Sequence, residues 1–464
     1  MTSPVISSIA LDLGTTSVKA GLLGQDGALK HIVARPSARI SVRDGRYESD
    51  ALAYAEIAEQ VLGECIALAG GCKTFGLCSQ RSSFLIWERS SGLPITPLIS
   101  WQDNRGASSC DALRAHGKYI RSLTGLPLAP YYFAPKLRNL LQENPGWQGR
   151  LESGELLTGT LDTFLIWRWS GGALHITDAS MAARTLLMDI RQQQWSRALC
   201  DLFGISLAIL PKIMPTAGMH LQLGNGLILA ASAGDQSAAL FASVSENGGE
   251  ALVNLGTGCF VVRYLPDGVD SFDGYLHTLV YQDSKQIAHF ACEGTLNSIA
   301  VALSPYPAVD CRAGDLAADD IFCLAEPSGL GAPYFRSDIG IRYSKPVAAL
   351  SPRSIASLLL EAVIFRVARI LEDFHRDSAI ERVYLSGGLS ELACLQQGIA
   401  HCVPFDVFHL LQSESSLQGA ALLAAGMAPA SNRESVKIKK TPDATLLPEK
   451  YRRWKVWMDM QLAF

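Results

Sequence analysis

The 464-residue chain sets 40 Lys and Arg against 44 Asp and Glu, a net charge of −4, with 48% hydrophobic and 18% charged residues. That balance describes a globular protein long enough for two or three ordinary domains, and with no block of like charge it sets aside a nucleic-acid backbone or an anionic membrane as main partner. No apolar run approaches the roughly 20 residues that span a bilayer, and Met1-Thr-Ser-Pro-Val-Ile-Ser-Ser8 lacks the basic region of a secretory leader, so a cytoplasmic location is expected. Eleven cysteines, scattered from Cys65 to Cys402 without a Cys-x-x-Cys pair, read as reduced thiols, and nine histidines without His-x-x-x-His spacing give little support to a zinc site.

The chain opens on Ile9-Ala-Leu-Asp-Leu-Gly-Thr-Thr-Ser-Val-Lys-Ala-Gly-Leu-Leu23, which reads as strand, Gly-Thr-Thr turn and strand. Tyr47-Glu-Ser-Asp50 follows. Apolar residues at Leu52, Ala55, Ala58, Val61, Leu62 and Cys65 then predict an amphipathic helix over 51–68, capped by Asp50. A short strand over 74–78 delivers Ser79-Gln-Arg-Ser-Ser83, and a strand over 84–87 leads to Ile99-Ser-Trp-Gln-Asp-Asn-Arg105. Pro127 and Pro130 make a loop of Gly125–Tyr132, inside an otherwise helical stretch from about 106 to 145. A Trp-rich helix is expected over 164–169. The strand over 227–233 then gives way to Gly234-Asp-Gln-Ser-Ala-Ala-Leu-Phe241, with Asp235 at its end.

After a linker signal at Glu246-Asn-Gly-Gly-Glu250, Leu252-Val-Asn-Leu-Gly-Thr-Gly-Cys-Phe-Val-Val-Arg-Tyr-Leu265 repeats the opening design. With Asp12 set on Asn254, Gly14-Thr15 falls on Gly256-Thr257, and each copy runs into an Asp-Gly turn, at Asp26-Gly27 and Asp267-Gly268. Two such hairpins half a chain apart predict two related domains, 1–245 and 246–464, each offering backbone N–H groups and Thr hydroxyls to the same anion. The remaining elements are a long helix from about Pro352 to Phe374 capped by Ser351, a strand over 383–386 ending in Gly387-Gly388, and a small-residue helix over 417–425. A polar extended tail over 429–448 and an aromatic helix with Tyr451, Trp454 and Trp457 close the chain.

Phosphoryl transfer needs donors around the phosphates, a carboxylate for a metal ion and a second carboxylate facing the accepting hydroxyl. Asp12 on the Gly14-Thr15-Thr16 turn suits the metal, Thr257 and Gly258 suit the nucleotide, and Asp235 suits the general base. Each has a plain structural reading beside it: Asp12 or Asp235 as a cap, Arg81 in a surface ion pair, Trp101 as core, and Asp103 paired with Arg105.

The combined motifs resemble the FGGY carbohydrate kinases, with glycerol kinases the nearest in pattern. The blocks that carry the resemblance are Leu11–Ser17, Ser79-Gln-Arg81, Ile99–Arg105, Gly234–Phe241, Gly256-Thr-Gly-Cys-Phe260, Gly329-Leu-Gly-Ala-Pro-Tyr334 and Gly387-Gly388, in the family's order along nearly the whole chain. The resemblance implies a two-domain α/β fold of the sugar kinase, heat-shock ATPase and actin type, ribonuclease H-like, with ATP and substrate in an inter-domain cleft. It makes Asp235 the base of an ATP- and Mg²⁺-dependent kinase, with Asp12 serving the metal. Arg81, Ser82, Trp101, Tyr131, Asp235, Gln236 and Phe260 would surround a small polyol or sugar. Gly14, Thr15, Thr16, Lys19, Gly256, Thr257, Gly258, Gly387 and Gly388 would serve the nucleotide. A homodimer is the assembly expected.

Departures bear on the substrate. Ser82 replaces the Glu that holds polyol hydroxyls in glycerol kinases, Asn139 replaces a tryptophan, and the second family signature is degraded around Gly340-Ile-Arg-Tyr-Ser-Lys345. Ala300 and Leu392 replace a Gly and an Asn on the nucleotide side. Glycerol is the nearest analogue, and a tetritol, pentulose or heptulose remains open because Ser82 leaves room. A pseudo-kinase that binds without turnover is the reading from another class.

Overall fold

The computed structural model describes residues 5–266, 269, 273–411, 414–429, 434–442 and 446–463. The Asp267-Gly268 turn expected from the sequence lies outside the described residues, as do parts of the expected extended tail. The contacts divide the chain into two compact units. The first comprises 1–242 together with 278–290 and 414–430, and the second comprises 243–277, 291–413 and 431–464.

The first unit is built on a six-stranded sheet with the spatial order Ala217–Gln222, Ile228–Gly234, Thr74–Ser79, Ile6–Leu13, Ser17–Gly24, Leu29–Pro36. The opening hairpin is as read from the sequence: Leu13 faces Val18 across a four-residue turn and Asp12 faces Lys19. Three strands of this sheet run parallel, in a register that aligns Asp12 with Cys78 and Cys78 with Ala233. Parallel neighbours require a crossover, and the helix Ala51–Leu68 supplies one. Asp50 accepts hydrogen bonds from the amides of Leu52 and Ala53, the expected cap. The buried stripe of this helix is Ala51, Tyr54, Ala55, Ala58, Val61, Leu62 and Cys65. Leu52 is exposed, because the sheet contact is centred on Tyr54, two residues round the helix.

A second, five-stranded sheet in this unit contains Phe84–Glu88 and Leu98–Ile99, so the loops that precede Phe84 and follow Ile99 emerge side by side, with Phe84 paired to Ile99. Trp87 and Phe164, the latter on the helix Leu161–Trp169, pack edge to face at 5.2 Å in the core.

In the second unit five neighbouring strands of one sheet have the order Cys259–Tyr264, Glu250–Leu255, Arg382–Ser386, Asp406–Leu410, Ser435–Lys437. The echo seen in the sequence is an echo in topology. In both sheets the first hairpin strand has a parallel partner on one side and its antiparallel mate on the other, with a second parallel strand and an antiparallel edge beyond. The second hairpin is one residue tighter, since Leu255 faces Cys259. The helix Pro352–Asp377, capped by the Ser351 hydroxyl on the Ser354 amide, precedes the parallel strand of this sheet. The closing helix Leu447–Leu462 is fixed through Trp454, whose indole N–H donates to the Cys323 carbonyl at 2.8 Å, and through a buried Lys450–Glu361 ion pair at 2.5 Å.

The small-residue helix Ser415–Ala425 belongs to the first unit and lies against its central strands. Two glycines allow the approach: a Cβ on Gly76 would sit 2.2 Å from the Ala420 carbonyl oxygen, and one on Gly419 would sit 1.9 Å from that of Ala238. Neither neighbour is a flexible side chain, so a methyl group must push backbone apart. Gly76→Ala is therefore expected to cost about 1–3 kcal/mol of stability, read as a lower urea midpoint. Gly63→Ala, with open space around its Cβ position, serves as the control and is expected to leave the midpoint in place or raise it.

Candidate active site

Parallel register brings the polar segments of the first unit to the same ends of adjacent strands. One residue beyond the aligned row lie Leu13, Ser79 and Gly234, and the chain continues from these into Gly14-Thr15, Gln80-Arg81 and Asp235-Gln236. Ligand sites form at such carboxyl ends of parallel strands.

Asp12 is half-buried, and its Oδ1 is enclosed with no hydrogen-bond partner. Burial first, and then the like charge of Asp235, push its carboxyl up to about 7, while Lys19 across the hairpin pulls the other way. Asp235 opens the helix Asp235–Ser243, with the Gln236 amide donating to its Oδ1 at 2.7 Å. Its carboxyl is also raised by burial, against the opposing pull of the Arg81 and Arg184 guanidinium groups. Arg81 Nε stands 3.7 Å from Asp235 Oδ1. Two carboxyls raised by burial, one of them also by the charge of the other, with cations beside them, form the arrangement in which perturbed acids gather at functional sites.

The turn next to Asp12 is tightly made. The Gly14 amide donates to the Ser17 carbonyl at 3.1 Å, a Cβ there would meet that same oxygen at 2.7 Å, and the Tyr54 hydroxyl donates to the Gly14 carbonyl at 2.7 Å. Thr15 Oγ1 donates to Gln80 Oε1 at 3.2 Å and accepts from the Trp101 indole N–H at 2.9 Å, so Trp101 is 42% exposed yet held. Thr16 is exposed. Lys19 is bound to Glu414 at 2.6 Å, which keeps its ammonium beside Asp12. Tyr131 is 37% exposed and tilted against Tyr132 at 4.5 Å.

Ser82 is in the left-handed region at φ 62°, is buried, and donates its hydroxyl to the Arg184 carbonyl at 3.0 Å. Asp103 and Arg105 pair with each other, Nε to Oδ1 at 2.8 Å and Nη2 to Oδ2 at 2.9 Å, and Arg105 also binds Glu48. The plain reading of that pair is the correct one.

In the second unit, Gly256, Thr257 and Gly258 form the turn of the second hairpin, with Thr257 exposed and its carbonyl accepting from the Ala300 amide at 3.1 Å. A Cβ on Gly258 would meet the Leu296 carbonyl oxygen at 2.9 Å. Gly387, at φ 87°, presses on this hairpin: a Cβ would lie 2.5 Å from the Leu255 carbonyl oxygen and 2.6 Å from Asn254 Oδ1. Gly388 is exposed with open space around it. Phe260 is on the second hairpin strand, paired with Asn254 and Thr295, and so belongs with this group rather than with the first-unit residues.

Three residues near the first-unit group escape a reading of the sequence. Arg184, 7% exposed, donates to Thr278 Oγ1 at 2.8 Å, lies over the Tyr132 ring, and acts on the Asp235 charge. Asp178 caps the turn Ala179–Ala182 by accepting from the Ser180 and Met181 amides, takes the Thr216 hydroxyl at 2.7 Å, and so fixes Ser180, whose Oγ accepts the Gly234 amide at 2.8 Å. Lys136 is buried beneath the Arg81 and Trp101 loops. The only sequence signal was polarity inside apolar runs, at Thr177-Asp178 and Ala134-Pro-Lys136.

Two sheets of like topology, with two carboxylates at strand ends beside a Gly-Thr-Thr turn in the first unit, have the parts that phosphoryl transfer requires. Residues 7–242 match the N-terminal domain of the FGGY family of carbohydrate kinases, and residues 251–428 match its C-terminal domain. A glycerol kinase of Rhodopirellula baltica is 30% identical over 461 residues, covering 93% of this chain and 84% of that protein. Glycerol kinase 1 of Streptomyces avermitilis is 32% identical over 453 residues, covering 90% and 88%. Among solved structures, Plasmodium falciparum glycerol kinase with ADP has a TM-score of 0.84 at 22% identity, with 98% of each chain covered, and gluconate kinase from Lactobacillus acidophilus has 0.83 at 17% and 98% of each. The chain belongs to the FGGY family of carbohydrate kinases. It is an ATP-dependent phosphotransferase with an alcohol group as acceptor.

Asp178 gives a stability test. Burial, with Asp162 beside it, pushes its carboxyl from 3.8 up to about 7, so the folded chain keeps a proton that the unfolded chain has lost over that interval. Stability should then fall as pH climbs from 4 to 7. Asp178→Asn, which cannot ionise, is expected to remove up to about 1.4 kcal/mol per pH unit of that slope. Urea unfolding of both proteins at pH 5, 6 and 7 checks this, and parallel slopes would refute it.

Proposed function

We propose that the acceptor is a small polyol, with glycerol the nearest analogue, and that Asp235 removes the proton of the hydroxyl being phosphorylated. The observation that carries this reading is Asp235 itself, a carboxylate at a strand end whose proton affinity is raised by burial and which Arg81 holds at 3.7 Å. A base with raised affinity is better matched to a neutral working pH. The acceptor oxygen attacks the γ-phosphorus, its proton passes to Asp235, and the bond to the β,γ-bridging oxygen breaks to release ADP. Arg81, Trp101, Tyr131, Gln236 and Phe260 are assigned to the acceptor.

Ser82 bears on the choice of acceptor. Its hydroxyl is committed to the Arg184 carbonyl, so no carboxylate at this position is available to hold two adjacent hydroxyls, and selectivity against larger acceptors is expected to be weaker. That favours a ketose, such as a pentulose or heptulose, as the second reading.

The phosphates are assigned to Gly14, Thr15, Thr16 and Lys19, and the nucleotide to Gly256, Thr257, Gly258, Gly387 and Gly388, so that residues 1–245 bear the phosphate hairpin and, Phe260 apart, the acceptor site, and 246–464 the nucleotide site. Mg²⁺ is expected at Asp12. The enclosed Oδ1 without a partner suits a hard cation, and a site with few protein carboxylates leaves the remaining positions to water and phosphate oxygens. Such an ion would neutralise charge on the transferring phosphate. A cytoplasmic location rests on the sequence reading given above, and a homodimer remains part of the proposal.

Turnover with ATP and Mg²⁺ across a panel of polyols, ketoses and aldonates tests the reading. Asp235→Asn is expected to lower kcat about 10²–10⁴-fold on the best acceptor with the fold intact by circular dichroism, and undiminished turnover would remove Asp235 from the role of base. The two hairpins also differ where Asp12 stands against Asn254. Asp12→Asn is expected to impair metal-dependent turnover far more than Asn254→Ala, and equal losses in a steady-state assay would refute that division.

A further inference from the structure

Lys136 is fully buried on the helix Phe133–Glu143, five residues after Tyr131. Its Nζ donates to two backbone carbonyls, Ser82 O and Ser100 O, both at 2.8 Å. These belong to different loops, and each immediately follows or precedes a residue assigned to the acceptor: Ser82 follows Arg81, and Ser100 precedes Trp101. The same ammonium lies 5.5 Å from the Phe84 ring centroid, and Phe84 in turn packs edge to face on Phe133 at 4.8 Å. The Ser83 hydroxyl joins the loops a second time, accepting the Trp101 amide and donating to Gln80 Oε1, each at 2.9 Å.

An ordinary core position would be filled by an apolar side chain. Here one would remove the ammonium donor from the Ser82 carbonyl and leave the Ser100 carbonyl with only the Asp103 amide, at 3.2 Å, and Ser82 is already in a backbone conformation that a non-glycine residue adopts only when its surroundings hold it there. The charged groups that act on Lys136 are Asp103 and Arg105, whose mutual ion pair leaves the two carbonyls as its direct partners; burial pulls its ammonium down to about 7.

We propose that Lys136 is a positioning residue for the acceptor: it clamps the Gln80–Ser83 and Ser100–Trp101 loops to the helix that follows Tyr131, so that Arg81, Trp101 and Tyr131 are presented in one fixed geometry. This rests on the acceptor assignment made above. Binding of the acceptor then depends on Lys136 although the side chain itself does not touch it, because misplacement of oriented groups by a fraction of an ångström weakens their combined hold.

The test uses the full chain and two variants, Lys136→Met, an unbranched apolar chain one atom shorter that loses every donor, and Lys136→Gln, which keeps a donor one atom too short to reach both carbonyls. With glycerol and ATP as probes, each variant is expected to raise the KM for glycerol at least tenfold while the KM for ATP stays within twofold. In the protein without ligands, amide hydrogen exchange in residues 80–84 and 99–103 is expected to quicken at least tenfold while that in 75–78 is unchanged. Unchanged exchange in both loops, an equal rise in the two KM values, or exchange quickened uniformly through the first unit would overturn the proposal, as would failure of both variants to fold. If the wild type turns over neither glycerol nor any other acceptor, the acceptor assignment fails, whereas the exchange measurement still decides whether the clamp exists.

Discussion

The candidate site of the first unit depends on one constraint: two carboxylates, Asp12 and Asp235, are held near one another where adjacent parallel strands end, in a register that runs unbroken from Ala231 to Gly234. Like charges with little water around them oppose each other, and a chain left free would separate them. They stay because Asp12 is locked between two hydrogen-bonded neighbours, Lys19 on one side and Cys78 on the other, and because Gly234, just before Asp235, is fixed in turn by Ser180. The site is thus a product of sheet register and of buried side-chain braces, and its raised proton affinities follow from the same enclosure.

The duplication explains how one chain offers two phosphate-type turns. Both sheets place a Gly-Thr hairpin between a parallel and an antiparallel neighbour, and the physics of the two copies then diverges. In the first, an acidic residue faces Lys19, a cation held by Glu414. In the second, the corresponding Asn254 is uncharged and instead has Gly387 against its amide oxygen. One hairpin has become a charge-bearing turn and the other a close-packed one. Glycines matter at both for space: Gly14 and Gly387 stand where any side chain would strike backbone carbonyl oxygen.

Family membership and the kinase activity were within reach of the sequence because they rest on ordered short blocks, and a block such as Gly-Asp-Gln at a strand end has the same local consequence in any chain that folds this way. Selectivity was not. Ser82 was read as a substrate contact from its place after Gln80-Arg81, yet its hydroxyl is turned to the Arg184 carbonyl, a partner 102 residues away. Arg184, Asp178 and Lys136 went unread for the same reason: a polar residue within an apolar run gives no sign of the carbonyl, amide or charge it meets until distant segments pack.

The sequence by itself determined the elements and their chemistry: hairpins from Gly-Thr turns between apolar runs, helices from capped apolar stripes, and the duplicated design from its spacing. These are local matters, decided by backbone preference and by the period of side chains within one turn or one strand. Tertiary structure alone decided which polar groups share an environment. Whether Asp103 meets Arg105 or a ligand, whether Leu52 or Tyr54 faces the sheet, and which buried lysine ties two loops together all depend on contacts between residues far apart in the chain, whose energies arise only when water has been excluded from around them.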